Sequence, residues 1–129
     1  MALQRLVYVS TAAGPFSDSD LDALLIQAKS SNAKMRVTGL LVFNGLNFMQ
    51  AIEGEATEIA QLFQRISRDS RHSGVIKISQ IEISERAFAK WSMVIVRVPA
   101  DADSLQQHLG AEIPNDITDA FAALARLGF

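Results

Sequence analysis

A phenol and a primary amide stand where strand periodicity buries them both. In Arg5-Leu-Val-Tyr-Val-Ser10, Leu6, Tyr8 and Ser10 share one face of a strand, and Val7 and Val9 share the other. In Phe48-Met-Gln-Ala-Ile52 the same alternation groups Phe48, Gln50 and Ile52. The Gln50 amide then lies between two large apolar neighbours on the face expected to be buried. Left unpartnered there it would cost roughly 1–3 kcal/mol, so a backbone carbonyl, a hydroxyl or a bound ligand meets it. An amide has a donor end and an acceptor end and can bridge a phenol to a second group. Further polar candidates are Asn32, Arg65, Asp69, Arg71 and His72. Each has an ordinary reading too: Tyr8 as a core tyrosine, Asn32 as a helix stop, and the Arg65-Arg68-Asp69 flank as solvated surface.

Composition removes several kinds of chemistry. The chain has 129 residues, 49% of them hydrophobic, and a net charge of −2. That length suits one domain burying roughly two thirds of its unfolded surface. Without a Lys/Arg cluster there is no reason to expect nucleic acid or anionic lipid as a partner. No apolar run approaches the ~20 residues of a membrane span, and the N-terminus lacks a signal-peptide layout. Cysteine is absent and only His72 and His108 are present. Thiolate nucleophiles and disulfides are thus excluded, and no metal site is expected. A soluble cytoplasmic domain is the expectation.

The elements that would position these groups follow in order. After the first strand comes Gly14-Pro15, a turn, and then Ser17 or Asp18 as the N-cap of a helix. Leu21, Leu24, Leu25 and Ala28 give that helix an apolar stripe, and it runs out at Ser30-Ser31-Asn32. Met35 to Phe43 is a strand whose Gly39 marks a bulge or a close backbone approach. Asn44-Gly45 is a two-residue turn signal into the strand carrying Gln50. A second helix presents Ile59, Leu62, Phe63 and Ile66, with Glu55 and Glu58 in its first turn. Arg71-His72-Ser73-Gly74 connects it to a fourth strand, Val75 to Ile83. In that strand Ile76, Ile78 and Gln80 face one side, and Val75, Lys77, Ser79, Ile81 and Ile83 the other. Phe88 to Val98 is a fifth strand in which Trp91, Met93 and Ile95 share a face. Residues 1–98 thus form one domain, and residues 99–129 a helical extension that packs on the sheet or on another subunit.

The order β-α-β-β-α-β, with a fifth strand and a helical tail, predicts a ferredoxin-like α/β (α+β) sandwich. Right-handed crossovers place the first and third strands side by side, expected parallel, beneath both helices. Tyr8 and Gln50 become neighbours on the helix-covered face. Asn32 ends one helix, and Arg65, Asp69 and Arg71 end the other, around the same cleft. Polar groups of complementary type around an apolar slot suit a planar heteroaromatic ligand.

At this point the sequence resembles the BLUF family of blue-light sensors, which bind flavin non-covalently. The resemblance runs over about residues 3 to 98. It is carried by Leu6-Val-Tyr-Val-Ser10, Asn32, Thr38-Gly39, Phe48-Met-Gln50, Glu53-Gly54, Asp69-Ser-Arg-His72 and Arg86-Ala-Phe-Ala-Lys-Trp-Ser-Met93. The short, single-domain type is the better match, with no recognisable output domain and no catalytic domain.

The resemblance implies roles residue by residue. Tyr8 matches the tyrosine that gives an electron and a proton to the excited flavin, and Gln50 the glutamine bridging that tyrosine to the ring. Asn32 matches the asparagine on the pyrimidine edge. Arg65, Asp69, Arg71 and His72 match positions on the flavin or its ribityl side, with Arg71 at the O2 edge. Leu24, Phe48 and Ile66 would be apolar walls, and Trp91 and Met93 would relay the signal. Ser31 departs from members that carry a ring- or adenine-holding side chain there. FAD is the implied cofactor, with FMN or riboflavin as substitutes. The implied partner is a downstream signalling protein, with homo-oligomerisation. Two other readings are an acylphosphatase-like hydrolase, disfavoured because Tyr8 and Gln50 offer no nucleophile or base, and a ligand-free oligomerisation module.

Overall fold

A computed structural model describes residues 3–14, 17–43, 47–87, 94–97 and 117, with the side chains of Asp18, His72 and residues 94–97 excepted. The elements are β1 (Leu3–Ala12), α1 (Asp18–Lys34), β2 (Thr38–Phe43), β3 (Asn47–Glu55), α2 (Ala56–Ser67), β4 (His72–Ile83) and β5 (Val94–Arg97). They form a five-stranded sheet in the order β4-β1-β3-β2-β5, the ferredoxin-like arrangement with one strand added.

One expectation is corrected by the pairing. β1 and β3 are central neighbours but antiparallel, with Leu6 opposite Ile52 and Tyr8 opposite Gln50. The crossover through α1 sets β2 parallel to β1; the β2–β3 hairpin then reverses the chain, so β3 enters between them antiparallel to both. β4 pairs antiparallel with β1, and β5 runs parallel to β2. The hairpin register sets Phe43 opposite Phe48. A two-residue turn at Asn44-Gly45 would instead have paired Phe43 with Leu46; residues 44–46 themselves lie outside the described residues.

Of the two expected N-cap candidates, Ser17 caps α1 and Asp18 is its first helical residue. Ser17 Oγ accepts the Asp20 N–H at 3.2 Å while Asp20 Oδ2 accepts the Ser17 N–H at 2.8 Å, a capping box. The helix also runs past Asn32 to Lys34, so Asn32 is not the stop. It closes in a Schellman pattern: the Val37 N–H reaches Asn32 O at 2.9 Å and the Arg36 N–H reaches Ala33 O at 3.3 Å. Arg36 takes the left-handed position, at φ 55°, where glycine would be unstrained. The sequence held no glycine to mark this end.

Leu21 is buried, and Leu24, Leu25 and Ala28 pack against the core, as the stripe in α1 predicts. α2 seats Ile59 and Leu62 on the sheet, with Phe63 and Ile66 partly buried beside them. Gly39 marks close approach and not a bulge, since β2 keeps its register there and a Cβ would run into the Ala51 carbonyl oxygen.

β4 starts earlier than expected, at His72, and its register shifts twice, between Val7 and Tyr8 and between Val9 and Thr11. Gly74, at φ 59°, lies at the second shift, where glycine adopts the bend without strain. These irregularities break the period-two alternation assumed for this strand. Gln80 stands opposite Leu6 and Lys77 opposite Tyr8 on the helix side, while Ile76, Ser79 and Ile81 fall on the far side. The far face of β1, β2 and β3 is buried as well, through Val7, Val9, Leu40, Val42, Met49 and Ala51. Ile117, in the expected tail, is fully buried. The rest of that tail, together with Trp91 and Met93, lies outside the described residues.

Candidate functional site

Tyr8 and Gln50 face one another across the β1–β3 pair, both buried, at 2% and 7% exposure. Directly paired residues place their side chains on the same face, so the register alone brings the two polar ends together. The Tyr8 hydroxyl donates to Gln50 Oε1. The two N–H donors of the amide are at its other end. Phe63 from α2 closes over the phenol, with ring centroids 5.8 Å apart and planes at 56°.

The pair sits in the floor of a partly open cleft of about 200 Å³ between α1 and α2. Nine residues expected at the site line it together: Tyr8, Leu24, Asn32, Phe48, Gln50, Arg65, Ile66, Asp69 and Arg71. The tenth, His72, begins β4, and its side chain is outside the described part. Among the lining residues sequence reasoning missed are Gln27, Leu41 and Leu62. Leu41 could have been found from the correct hairpin register, which sets it opposite Gln50.

Asn32 is 1% exposed in the last turn of α1. The extension of the helix to Lys34 keeps this residue helical, so its amide belongs to the cleft wall and not to a frayed end. From the other side, Arg65 donates from α2 to α1: Nη1 to Ser31 Oγ at 3.3 Å and Nη2 to Met35 Sδ at 3.1 Å. After α2, the Arg71 guanidinium grips the Asp69 carboxylate in two-pronged fashion, Nε to Oδ1 at 2.9 Å and Nη2 to Oδ2 at 2.5 Å. The Arg71 carbonyl accepts the Ala13 N–H at 3.1 Å, which ties this loop to the end of β1.

These surroundings decide the protonation of the phenol. Burial pushes the Tyr8 pKa far above the ordinary tyrosine value; the Asp69 carboxylate adds to the rise and Arg71 opposes it. Tyr8 is therefore neutral, its proton held toward Gln50. Arg71 is itself held more firmly in its charged form, chiefly by the hydrogen bond to Asp69. Apolar walls from Leu24, Leu41, Phe48, Leu62 and Ile66, with amide and charged groups at the edges, fit a flat ring that alternates donors and acceptors along its rim. The donor set fits a flavin.

Comparison with known proteins agrees. The profile of the family described as BLUF, sensors of blue-light using FAD, matches residues 3–94. The photoactivated adenylate cyclase subunit beta of Euglena longa is 38% identical over 93 residues, which is 70% of this chain and 11% of that protein. Among solved structures, Klebsiella pneumoniae BlrP1 in a manganese and cyclic-diGMP complex is 30% identical with a TM-score of 0.81, over 98% of this chain and 33% of that one. The dark-state structure of BlrB, a BLUF protein, is 28% identical with a TM-score of 0.74, over 98% of this chain and 97% of that one. Fold and site are those of a family described as sensors of blue-light using FAD. The chain belongs to the BLUF family.

Proposed function

We propose that this chain holds FAD non-covalently in the α1–α2 cleft, FMN or riboflavin being workable substitutes, and that Tyr8 and Gln50 are its switch. The observation that carries the proposal is the hydrogen bond from the buried, neutral Tyr8 phenol to Gln50 Oε1 in the cleft floor. When bound and excited, the flavin supplies a strong oxidant. Tyr8 would give that oxidant an electron and, through the bond to Gln50, its hydroxyl proton, and would recover both as the state relaxes. While the phenol is oxidised, Gln50 loses its fixed donor and is free to rotate or tautomerise. The reversed amide would offer a different end to the bound flavin, and the changed hydrogen bond would lower its excitation energy and red-shift its absorption. No covalent bond to the chain is needed, in keeping with the absence of cysteine.

In this reading Asn32 holds the pyrimidine edge, and Leu24, Phe48 and Ile66 are walls. Arg65, Asp69, Arg71 and His72 attend the ring edge and ribityl side. Trp91 and Met93 relay the change outward. Residues 1–98 act as a sensor without catalysis of their own, and residues 99–129 cover the far sheet face or a second copy. The output goes to a downstream signalling protein in the cytoplasm. The cyclase relative is named as photoactivated, and this chain matches 11% of its length, which supports a light-sensing role for such a domain. Among the described residues no helix is long and apolar enough to cross a membrane.

The test is an absorption spectrum taken before and after blue light. A yellow protein with a reversible red shift of its flavin bands is expected. A colourless preparation that takes up no flavin, or one whose bands do not respond to light, overturns the proposal.

A further inference from the structure

On the face of the sheet away from the cleft, a buried carboxylate fastens the chain that follows β4. Glu53 is 0% exposed. Its Oε2 accepts from Arg5 Nη1 at 2.9 Å, across the β1–β3 pair, and from the Ala87 backbone N–H at 3.0 Å. Next to Ala87, the Arg86 guanidinium reaches three separate oxygens. Nη1 donates to Thr38 Oγ1 at 3.0 Å and to the Glu53 carbonyl at 2.9 Å, and Nη2 donates to the Arg36 carbonyl at 2.7 Å.

The three anchored elements are those that shape the cleft. Arg36 closes α1 just beyond Asn32, Thr38 begins β2, which carries Leu41, and Glu53 lies on β3 three residues beyond Gln50. Thr38 and Glu53 are opposite each other in the β2–β3 register, so one guanidinium straddles that pair. A planar fork bonded to three fixed oxygens cannot slide against them, as a lysine on a flexible stem could. Burying the Arg5–Glu53 charges gains little stability over apolar side chains of similar size. Accurate positioning is the better account of their presence.

We infer that Arg86 and Glu53 are positioning residues, a clasp that makes Ser84–Ala87 follow any displacement of β3 and the end of α1. The clasp gives the cleft a mechanical path to the segment leading into β5. The inference rests on the photosensor reading, because only a change at Gln50 would set the clasp in motion. Both Tyr8 and Gln50 are on the opposite face of the sheet, so the clasp does not touch the photochemical pair.

Trp91 is the only tryptophan in the chain, and a fluorotryptophan label there reports on this segment alone. The flavin-loaded full chain is examined by fluorine NMR in darkness and under blue light, with amide exchange at Ala87 measured in darkness. The wild type should show a light-dependent displacement of the Trp91 resonance. Arg86→Gln should keep its flavin and its red shift, lose more than half of that displacement, and exchange the Ala87 amide about tenfold faster. Arg86→Lys should not restore the wild-type response. Thr38→Val removes one acceptor without stranding a charge, and should give an intermediate loss if Arg86→Gln folds poorly. A wild-type-sized displacement in the Arg86 and Thr38 variants overturns the clasp, as does unchanged Ala87 exchange or loss of the red shift with flavin still bound. A red shift in the wild type without any Trp91 displacement also overturns it. A wild type with no red shift at all sinks the photosensor reading instead.

Discussion

Tyr8 and Gln50 are directly paired across two central antiparallel strands, and the phenol donates a hydrogen bond to the amide oxygen. Their separation in sequence is spanned by a helix and a hairpin, yet their contact requires no loop to position it. Both side chains project from the most buried strands of the sheet. Under the proposed photosensor reading, a switch so placed would have a rigid floor, and a change of its hydrogen bonds would bear on backbone that cannot easily yield.

The neutral state of the phenol is open to titration. Tyr8 is the only tyrosine, so phenolate absorbance reports on it alone. Its folded pKa is raised, chiefly by burial, so the unfolded chain releases the proton first. Stability from this residue is fully present below about pH 10 and declines above it, by up to ~1.4 kcal/mol per pH unit. Phenolate should appear only together with alkaline unfolding. A reversible titration near pH 10 with the fold intact would contradict the burial argument.

Gly39 is held to glycine by space. A Cβ there would meet the backbone oxygen of Ala51, which no rotamer change relieves. Gly39→Ala should destabilise by about 1–3 kcal/mol, read as a lower urea midpoint at unchanged slope. Since the β2–β3 pair carries Leu41 opposite Gln50, the same variant should also bind flavin less tightly.

Much of this arrangement was legible from periodicity. Leu6 and Tyr8, or Phe48, Gln50 and Ile52, alternate cleanly because β1 and β3 pair regularly over that stretch. β4 was misread because two register shifts change which residues share a face, and only Gly74 hinted at one of them. The end of α1 was misread because an arginine occupies the left-handed position normally marked by glycine. The Arg5–Glu53 pair was illegible for another reason. Each charge alternates onto a face that looked secondary, and only the register reveals that they meet there. The direction of β3 relative to β1 was deducible: a hairpin after a parallel crossover must reverse the chain.

Acid should weaken the start of α1. The Ser17 backbone N–H, and then the Ser17 hydroxyl, hold the Asp20 carboxylate below its ordinary pKa. A depressed folded pKa means stabilisation that is present above about pH 4 and lost as pH falls through the folded value. Asp20→Asn should lower the melting temperature slightly at neutral pH and match the wild type in strong acid. An equal deficit at both pH values would show that the capping box is not the source.

The account depends most on Gln50, the residue whose amide meets the Tyr8 hydroxyl in the cleft floor. Gln50→Leu keeps approximate volume and removes both ends of the amide. Asn32, Arg71 and the apolar walls remain, so the variant should still purify yellow. The decisive measurement is its light-minus-dark absorption spectrum, taken beside that of the wild type. The account predicts a reversible red shift in the wild type and none in the flavin-loaded Gln50→Leu protein. A full, reversible red shift in the leucine variant would contradict it.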